Sequence, residues 1–157
     1  MALASGIYAV WNAVNDPLFG YLSDKTKTNY GRRIPYLRFG APFLALFFSL
    51  IWWAPQQANH WNLFAWMLGS ILLYDTAYTI ISLSDSALLP EIAPSEDERG
   101  SLQVYASLFA LLGMFAGFIL PDLVRPKLTG DVSLLPFRLT MAAIGLSSAA
   151  LIVNMTF

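Results

Sequence analysis

The sequence predicts an all-α fold, a polytopic membrane helix bundle with five transmembrane helices. Of its 157 residues, 57% are hydrophobic and only 12% are charged, whereas a soluble domain carries charge on about a quarter of its residues. The apolar residues fall into runs near the ~20 residues that cross a bilayer. Basic residues are most numerous in the loop after the first run and absent from the loop after the second, an asymmetry of the kind that the positive-inside rule describes. The surplus apolar surface therefore faces lipid.

Four of the five predicted spans have a distinguishing feature. The first and third carry stripes of polar side chains, while the second and fourth are almost purely apolar, with Gly, Ala and Ser among their residues. The third is long enough to tilt or to project from the membrane. Ser95 and Glu98 have the spacing of a capping box that starts the fourth, and Gly113 with Gly117 suits close helix packing there. The spans cover residues 2–22, 36–54, 61–89, 102–120 and 137–157.

The charges in the loops predict an orientation in an inner or plasma membrane. Four basic residues follow the first span, and the loop after the second has no charge. Basic residues prefer the cytoplasmic side, so loops 23–35 and 90–101 are expected there. The first span then runs from outside to inside. Either the N-terminus lies outside, or a preceding span is missing.

Several classes of function lack the residues they need. The chain has no cysteine and a single histidine, His60, which excludes thiolate and polyhistidine metal sites and a thiol nucleophile. No basic patch alternates with aromatic residues as nucleic-acid binding requires. No serine stands in a nucleophile elbow, and no glycine-rich loop could hold phosphate. We therefore expect neither an enzyme nor a bound cofactor.

Polar stripes on the first and third spans predict a shared cavity. In the first span Asp16 precedes Asp24 by eight residues, or about 12 Å, which places it near the middle of a ~30 Å core. A carboxylate at that depth is costly and indicates an ion or substrate site, although a hydrogen bond to a neighbouring helix is an alternative. Asp75 and Asp85 could equally lie near an interface. The stripes are Ser5, Tyr8, Asn12, Asn15, Asp16 and Ser23, and Asp75, Tyr78, Thr79, Ser82, Asp85 and Ser86.

Several motifs resemble those of a known transporter family. Gly20-Tyr-Leu-Ser-Asp24, followed by basic residues and Gly31-Arg32-Arg33, resembles the loop between helices two and three of the major facilitator superfamily. The segments 11–20, 31–36 and 78–80, with Leu88-Leu89-Pro90-Glu91-Ile92, resemble its glycoside–pentoside–hexuronide:cation symporters, the melibiose-permease-like branch. The resemblance covers most of the chain up to about Phe109. It implies helices two to six of a twelve-helix fold, an N-terminal-half fragment whose partners are the missing first helix and the C-terminal half.

The resemblance also implies a function, cation-coupled symport of a sugar or another small organic solute by alternating access. Asn12 and Ser82 stand where sodium-coupled melibiose permeases carry acids, and Ser107 replaces a sugar-contacting arginine. The coupling ion at Asp16, sodium or a proton, is therefore left open. Tyr78, Ser82 and Asp85 would face Asp16 across the cavity. The implied cation and substrate residues are Asn12, Asn15, Asp16, Tyr78, Ser82 and Asp85. The implied gating residues are Gly20, Asp24, Gly31, Arg32 and Arg33.

Three other interpretations remain for the sequence. A membrane scaffold of the same fold would hold a partner without transport, and its polar stripes would tolerate replacement. A carrier of lysolipid, nucleoside or organic acid would use the same site for another solute. A solvated helix end is the simpler explanation of Asp24 and its basic neighbours. A membrane hydrolase would need a nucleophile beside a general base, and the sequence shows no such pair.

Overall fold

A computed structural model describes residues 2–28, 32–124 and 134–156, and these residues form helices without any strand. The five helices are α1 (Ala2–Lys25), α2 (Ile34–Trp52), α3 (His60–Ile92), α4 (Glu96–Val124) and α5 (Leu135–Asn154). The predicted all-α class is confirmed, and each predicted span lies largely within one helix.

Three of the helices, α1, α3 and α4, are longer than their predicted membrane spans. Most of the predicted loop 90–101 is helical, because α3 continues to Ile92 and α4 starts at Glu96. Hydropathy marks only the apolar stretch, whereas a capped helix continues through polar residues. The predicted capping box provides the reason, because Glu98 N donates to Ser95 Oγ and Ser95 N to Glu98 Oε2, both at 3.3 Å.

Four helices in the described part of the chain are long and apolar enough to cross a membrane. They are α2, α3, α4 over Glu96–Leu123, and α5. The first predicted span, now α1, is not among them, because its polar side chains lower its mean hydropathy. A membrane crossing by α1 therefore stays a prediction from the sequence.

The helices contact one another mainly in the order α1, α3, α2, α5 and α4. At the centre α2 and α5 pack through small residues, where Ala41, Ala45 and Ala149 are buried. Gly145 is essential to this contact. A Cβ atom there would lie 3.1 Å from the Phe48 ring and 3.3 Å from the Ala45 carbonyl oxygen.

Two arginines join the ends of α2 and α5. Arg38, in the first turns of α2, donates to the Thr156 carbonyl just past α5 at 3.0 Å. Arg138, in the first turns of α5, donates to the Ala54 carbonyl just past α2 at 2.8 Å. The two helices are therefore antiparallel. Each cation meets carbonyls at the negative end of the opposite helix dipole, which is a favourable position for it.

Helix α4 stands apart from this core. None of its described side chains is buried, and its main contacts are with α5. Gly113 and Gly117 were predicted to allow close packing, but the described residues place no atom within 4 Å of a Cβ at either position. The apolar surface of α4 is thus available to lipid or to protein outside this bundle.

Candidate functional site

A line of side-chain hydrogen bonds joins α1 to α3. We call it the α1–α3 seam, comprising Tyr8, Trp11, Asn15, Asp16, Asp75, Thr76 and Thr79. Its three bonds run from Tyr8 Oη to Asp75 Oδ1 at 2.8 Å, from Trp11 Nε1 to Thr76 Oγ1 at 3.1 Å, and from Thr79 Oγ1 to Asp16 Oδ1 at 3.3 Å. The partners follow in the same order along both helices. The helices are therefore parallel, as the loop charges predict.

The seam brings together most of the predicted cation site on α1. Asp16 meets Thr79, which is only 7% exposed, while the Asp16 side chain itself stays exposed. Asn15 is 3% exposed, and its Nδ2 atom has no hydrogen-bond partner in the described structure. Asn12 is half-buried one turn before Asp16. The seam thus offers carboxylate, amide and hydroxyl groups at one level of the bundle.

Sequence reasoning left Asp75 and Thr79 out of the site, although both stood in the polar stripe of α3. Asp75 accepts the hydrogen bond from Tyr8 on Oδ1, whereas its Oδ2 atom is buried without a partner. Asp75 and Thr79 are four residues apart, which places both on one face of α3. That spacing was the signal that could have identified both.

Tyr78, Ser82 and Asp85 lie on a different side of α3 from the seam. They line a cavity of about 740 Å³ between α2, α3 and α5, and its walls include none of the predicted α1 residues. Adjacent residues of a helix differ by ~100° in direction, so Tyr78 and Thr79 meet different neighbours. The remaining lining residues are mostly apolar: Ile34, Leu37, Ile81, Leu88, Ile92, Ile152, Met155 and Thr156.

The predicted gating residues meet in part at the other end of α1. Arg33 lies 3.4 Å from Asp24 at the end of α1 and 3.9 Å from Glu91 at the end of α3, and we call these three residues the Arg33 cluster. Glu91 falls in the predicted cytoplasmic loop 90–101, but it belongs to the last turn of α3. Arg32 is exposed. A Cβ at Gly20 would have no described atom within 4 Å, and Gly31 lies outside the described residues.

The described residues contain no group of three or more His, Cys, Asp or Glu side chains that could hold a metal ion. A monovalent ion at Asp16 would instead use neutral oxygens nearby. Thr79 Oγ1 is within hydrogen-bond distance of Asp16, and Asn15 is its chain neighbour. The chemistry of the seam suits binding of a proton or a weakly held monovalent cation.

Comparison with protein families identifies the class of molecule. The family model described as MFS/sugar transport protein matches residues 1–157, the whole chain. The chain is 32% identical over 124 residues to an uncharacterized symporter of Synechocystis (sll1374), covering 76% of this chain and 23% of that protein.

Two further relatives are named for their solutes. The lactose permease of Lactobacillus helveticus is 33% identical over 122 residues, covering 74% of this chain and 18% of the permease. The sodium-dependent lysophosphatidylcholine symporter 1 of Gallus gallus is 31% identical over 108 residues, covering 68% of this chain and 20% of the symporter. All three relatives are named as symporters or permeases and none as an enzyme. The chain spans less than a quarter of the length of each.

Proposed function

The chain belongs to the major facilitator superfamily, in the family described as MFS/sugar transport protein. From that premise we propose that this integral membrane protein is part of a secondary active transporter of an inner or plasma membrane. It couples a proton or a sodium ion to the movement of a small organic solute by alternating access. The rest of the transporter, including a preceding helix and a second half, completes the cavity.

The observation that carries this proposal is the contact between Asp16 and Thr79. It joins α1 to α3 at 3.3 Å beside the buried Asn15. An acidic group in the middle of a membrane helix is costly unless it serves binding or transport. Neutralising Asp16 with a proton or a cation changes its bond to Thr79. Ion binding and the packing of α1 on α3 are therefore linked.

The Arg33 cluster is the proposed gate of this transporter. It ties the ends of α1 and α3 to the start of α2 through ion pairs of 3.4 and 3.9 Å. Asp24 and Glu91 are 67% and 65% exposed. Exposed pairs of this kind contribute about 0 to 1 kcal/mol each. The cluster can therefore open and close at little cost, as an alternating mechanism requires.

A lipid-type solute is a second candidate, and the cavity beside α3 favours it. The cavity is walled mainly by aliphatic side chains, with Tyr78, Ser82, Asp85 and Thr156 as its polar groups. An amphiphile could place its chain against the aliphatic wall and its polar end at Asp85. A sugar needs polar partners around its whole ring, and this cavity offers few.

Uptake measurements test the coupling site. We would express the full reading frame, prepare membrane vesicles, and follow radiolabelled lactose and lysophosphatidylcholine under imposed sodium or pH gradients. Asp16→Asn removes the charge that binds the ion, so we expect accumulation to fall to the equilibrium level. Exchange without a gradient should persist, because the solute site is not removed.

Asp122→Asn is the matched control, because Asp122 is an exposed carboxylate of α4 outside the seam. It should accumulate either probe like the unmodified protein. Gradient-driven accumulation that is unchanged in Asp16→Asn, with equal amounts of inserted protein, would reject the assignment of Asp16. A thermal-shift comparison of sugars with lysolipids, made beforehand, would show which class of solute stabilises the protein and therefore which probe to follow first.

A further inference from the structure

Asp75 occupies the middle of the longest helix. It lies 15 residues after the start of α3 at His60 and 17 residues before its end at Ile92. Its Oδ1 atom accepts the 2.8 Å hydrogen bond from Tyr8, and its Oδ2 atom is buried without any partner in the described structure. Half of this carboxyl group is therefore satisfied and the other half is not.

An ionised carboxylate with one buried and unpaired oxygen is expensive in an apolar helix. The cost of burying such a charge is high enough that the group is normally paired or neutralised. Three agents could neutralise Asp75: a basic side chain, a metal ion or a proton. The surroundings of the side chain decide among them.

No basic side chain faces Asp75 from the described helices that pack against α3. From α1, Tyr8 is its hydrogen-bond partner, and Asp16 of the same helix lies eight residues further along and bonds to Thr79. On α3 itself, Tyr74 and Tyr78 stack with ring centroids 6.3 Å apart. These neighbours are neutral or acidic, so none of them compensates a negative charge.

Helix α2 contributes no charge at this level either. It meets the preceding residue, Tyr74, through Phe48, with ring centroids 6.0 Å apart. Its titratable groups, Tyr36 and Arg38, lie at its other end, and Arg38 is ten residues from Phe48, or about 15 Å along the helix. Arg38 donates its bond to the Thr156 carbonyl instead.

A metal ion is also poorly served here. The described residues contain no cluster of three or more His, Cys, Asp or Glu side chains. The buried Oδ2 atom has no hydrogen-bond partner among the described residues, whereas hard cations take about six oxygen ligands. A proton needs only the one oxygen atom, and it removes the charge entirely.

We propose that Asp75 is a proton-binding residue of the α1–α3 seam, which takes its proton on Oδ2 while Tyr8 holds Oδ1. An O–H bond forms at Oδ2 as one O–H bond of a hydronium ion breaks, and water is released. Oδ1 then becomes the carbonyl oxygen of a neutral acid, and it still accepts the bond from Tyr8. No other reactant is needed.

The position of Asp75 gives it a part in transport. That part rests on the proposed function, whereas the proton site itself does not. Thr79, the partner of Asp16, follows Asp75 by four residues, or about 6 Å. With α3 running from outside to inside, Asp75 lies outward of Asp16. A proton that enters from outside meets Asp75 first, so the seam contains two separately neutralised acids.

Infrared spectroscopy of the purified full-length protein tests the proposal. A protonated carboxyl has a C=O stretching band that carboxylates lack. At about pH 7, where a solvent-exposed aspartate is ionised, the unmodified protein should show this band. Tyr8→Phe should shift one component of this band to higher frequency, because Oδ1 loses its donor. Asp75→Asn should abolish that component, and Asp16→Asn and the exposed control Asp122→Asn should retain it.

Each contrary result overturns the proposal. The absence of a protonated-carboxyl band in unmodified protein overturns it without any variant. A component that Tyr8→Phe shifts but that survives in Asp75→Asn overturns it as well. A band that sodium chloride removes at constant pH, with potassium chloride as control, would make Asp75 a sodium ligand. Asp75→Asn keeps an oxygen that accepts from Tyr8, so it removes the proton site without removing that hydrogen bond. Asp75→Glu keeps an acid that can bind a proton, and a shifted band in this variant separates loss of the proton from loss of the fold.

The two proposals can fail separately. If Asp75 carries the band but no imposed gradient drives lactose or lysophosphatidylcholine uptake, the proton site stands and the transport proposal loses its support. If Asp16→Asn abolishes both accumulation and the band while Asp75→Asn keeps the band, the coupling assignment stands. The inference about Asp75 is then wrong.

Discussion

Helices α1 and α3 are held together differently from α2 and α5. The α1–α3 seam consists of hydrogen bonds between polar side chains, one of which ends on an exposed carboxylate. The α2–α5 contact consists of buried small residues and a glycine with no room for a side chain, with an arginine bond at each end. Protons and cations can change the first kind of contact, whereas α2 and α5 contain no acidic group that they could neutralise.

The comparison suggests a division of labour between the two interfaces. The α2–α5 pair can act as a rigid support, because close packing resists small displacements. The seam can rearrange when its acids are neutralised, because the strength of its hydrogen bonds depends on charge. An alternating mechanism needs both a body that keeps its shape and a contact that responds to the ion.

Filling Gly145 should give the largest effect of the variants considered below. In Gly145→Val the new side chain meets the Phe48 ring and the Ala45 carbonyl, which lie 3.1 and 3.3 Å from a Cβ. Overpacking of this kind costs about 1 to 3 kcal/mol. We expect a clearly lower apparent melting temperature in detergent, measured by tryptophan fluorescence.

Gly69→Val is the matched control for this variant. It places the same side chain in another helix, where no described atom lies within 4 Å of a Cβ. It therefore carries the same helix-propensity change without the steric conflict. Equal losses of stability in both variants would show that the α2–α5 contact is not close-packed.

Removing the seam hydroxyl in Thr79→Val should have a smaller effect on stability. The variant keeps the side-chain volume but leaves Asp16 Oδ1 without its 3.3 Å donor. A hydrogen bond of this kind contributes about 0.5 to 1.5 kcal/mol. We expect a modest fall in melting temperature and, as its distinguishing mark, loss of the stabilisation that sodium or proton binding gives to the unmodified protein.

The same ion titration on Gly145→Val sharpens the comparison. That variant should be less stable but should keep the full response to the ion, because its seam is intact. If Thr79→Val keeps the response and Gly145→Val loses it, the assignment of roles to the two interfaces is reversed.

Neutralising Asp24 should have the smallest effect. Its carboxylate is 67% exposed and 3.4 Å from Arg33, so Asp24→Asn should cost at most about 1 kcal/mol. The difference from the unmodified protein should shrink at about 1 M salt, where the screening length is about 3 Å. Glu91→Gln, at 3.9 Å from Arg33, is the weaker companion, and a salt-independent loss would argue against an ion pair.

Features set by neighbouring residues were predicted well from the sequence. The five apolar segments became five helices, and the capping box of Ser95 and Glu98 was found as its spacing required. The parallel run of α1 and α3 also agrees with the loop charges. These features depend on length, polarity and spacing within one turn, which the order of residues states directly.

The ends of the helices were predicted less well, for a physical reason. The predicted first span stopped at residue 22 and the fourth began at 102, whereas α1 continues to Lys25 and α4 begins at Glu96. Hydropathy measures the free energy of transfer out of water, so it identifies only the residues that lie inside the membrane. Backbone hydrogen bonding continues beyond that surface as long as caps and propensity allow.

The sequence by itself determined that the chain is helical, apolar enough for a membrane and striped with polar groups on α1 and α3. Only the tertiary structure decided which of those groups meet. Tyr78 and Thr79 are adjacent in the chain, yet one lines the cavity between α2, α3 and α5 while the other bonds to Asp16. The rotation of a helix about its own axis chooses between such neighbours, and that rotation is set by the packing of all the helices around it.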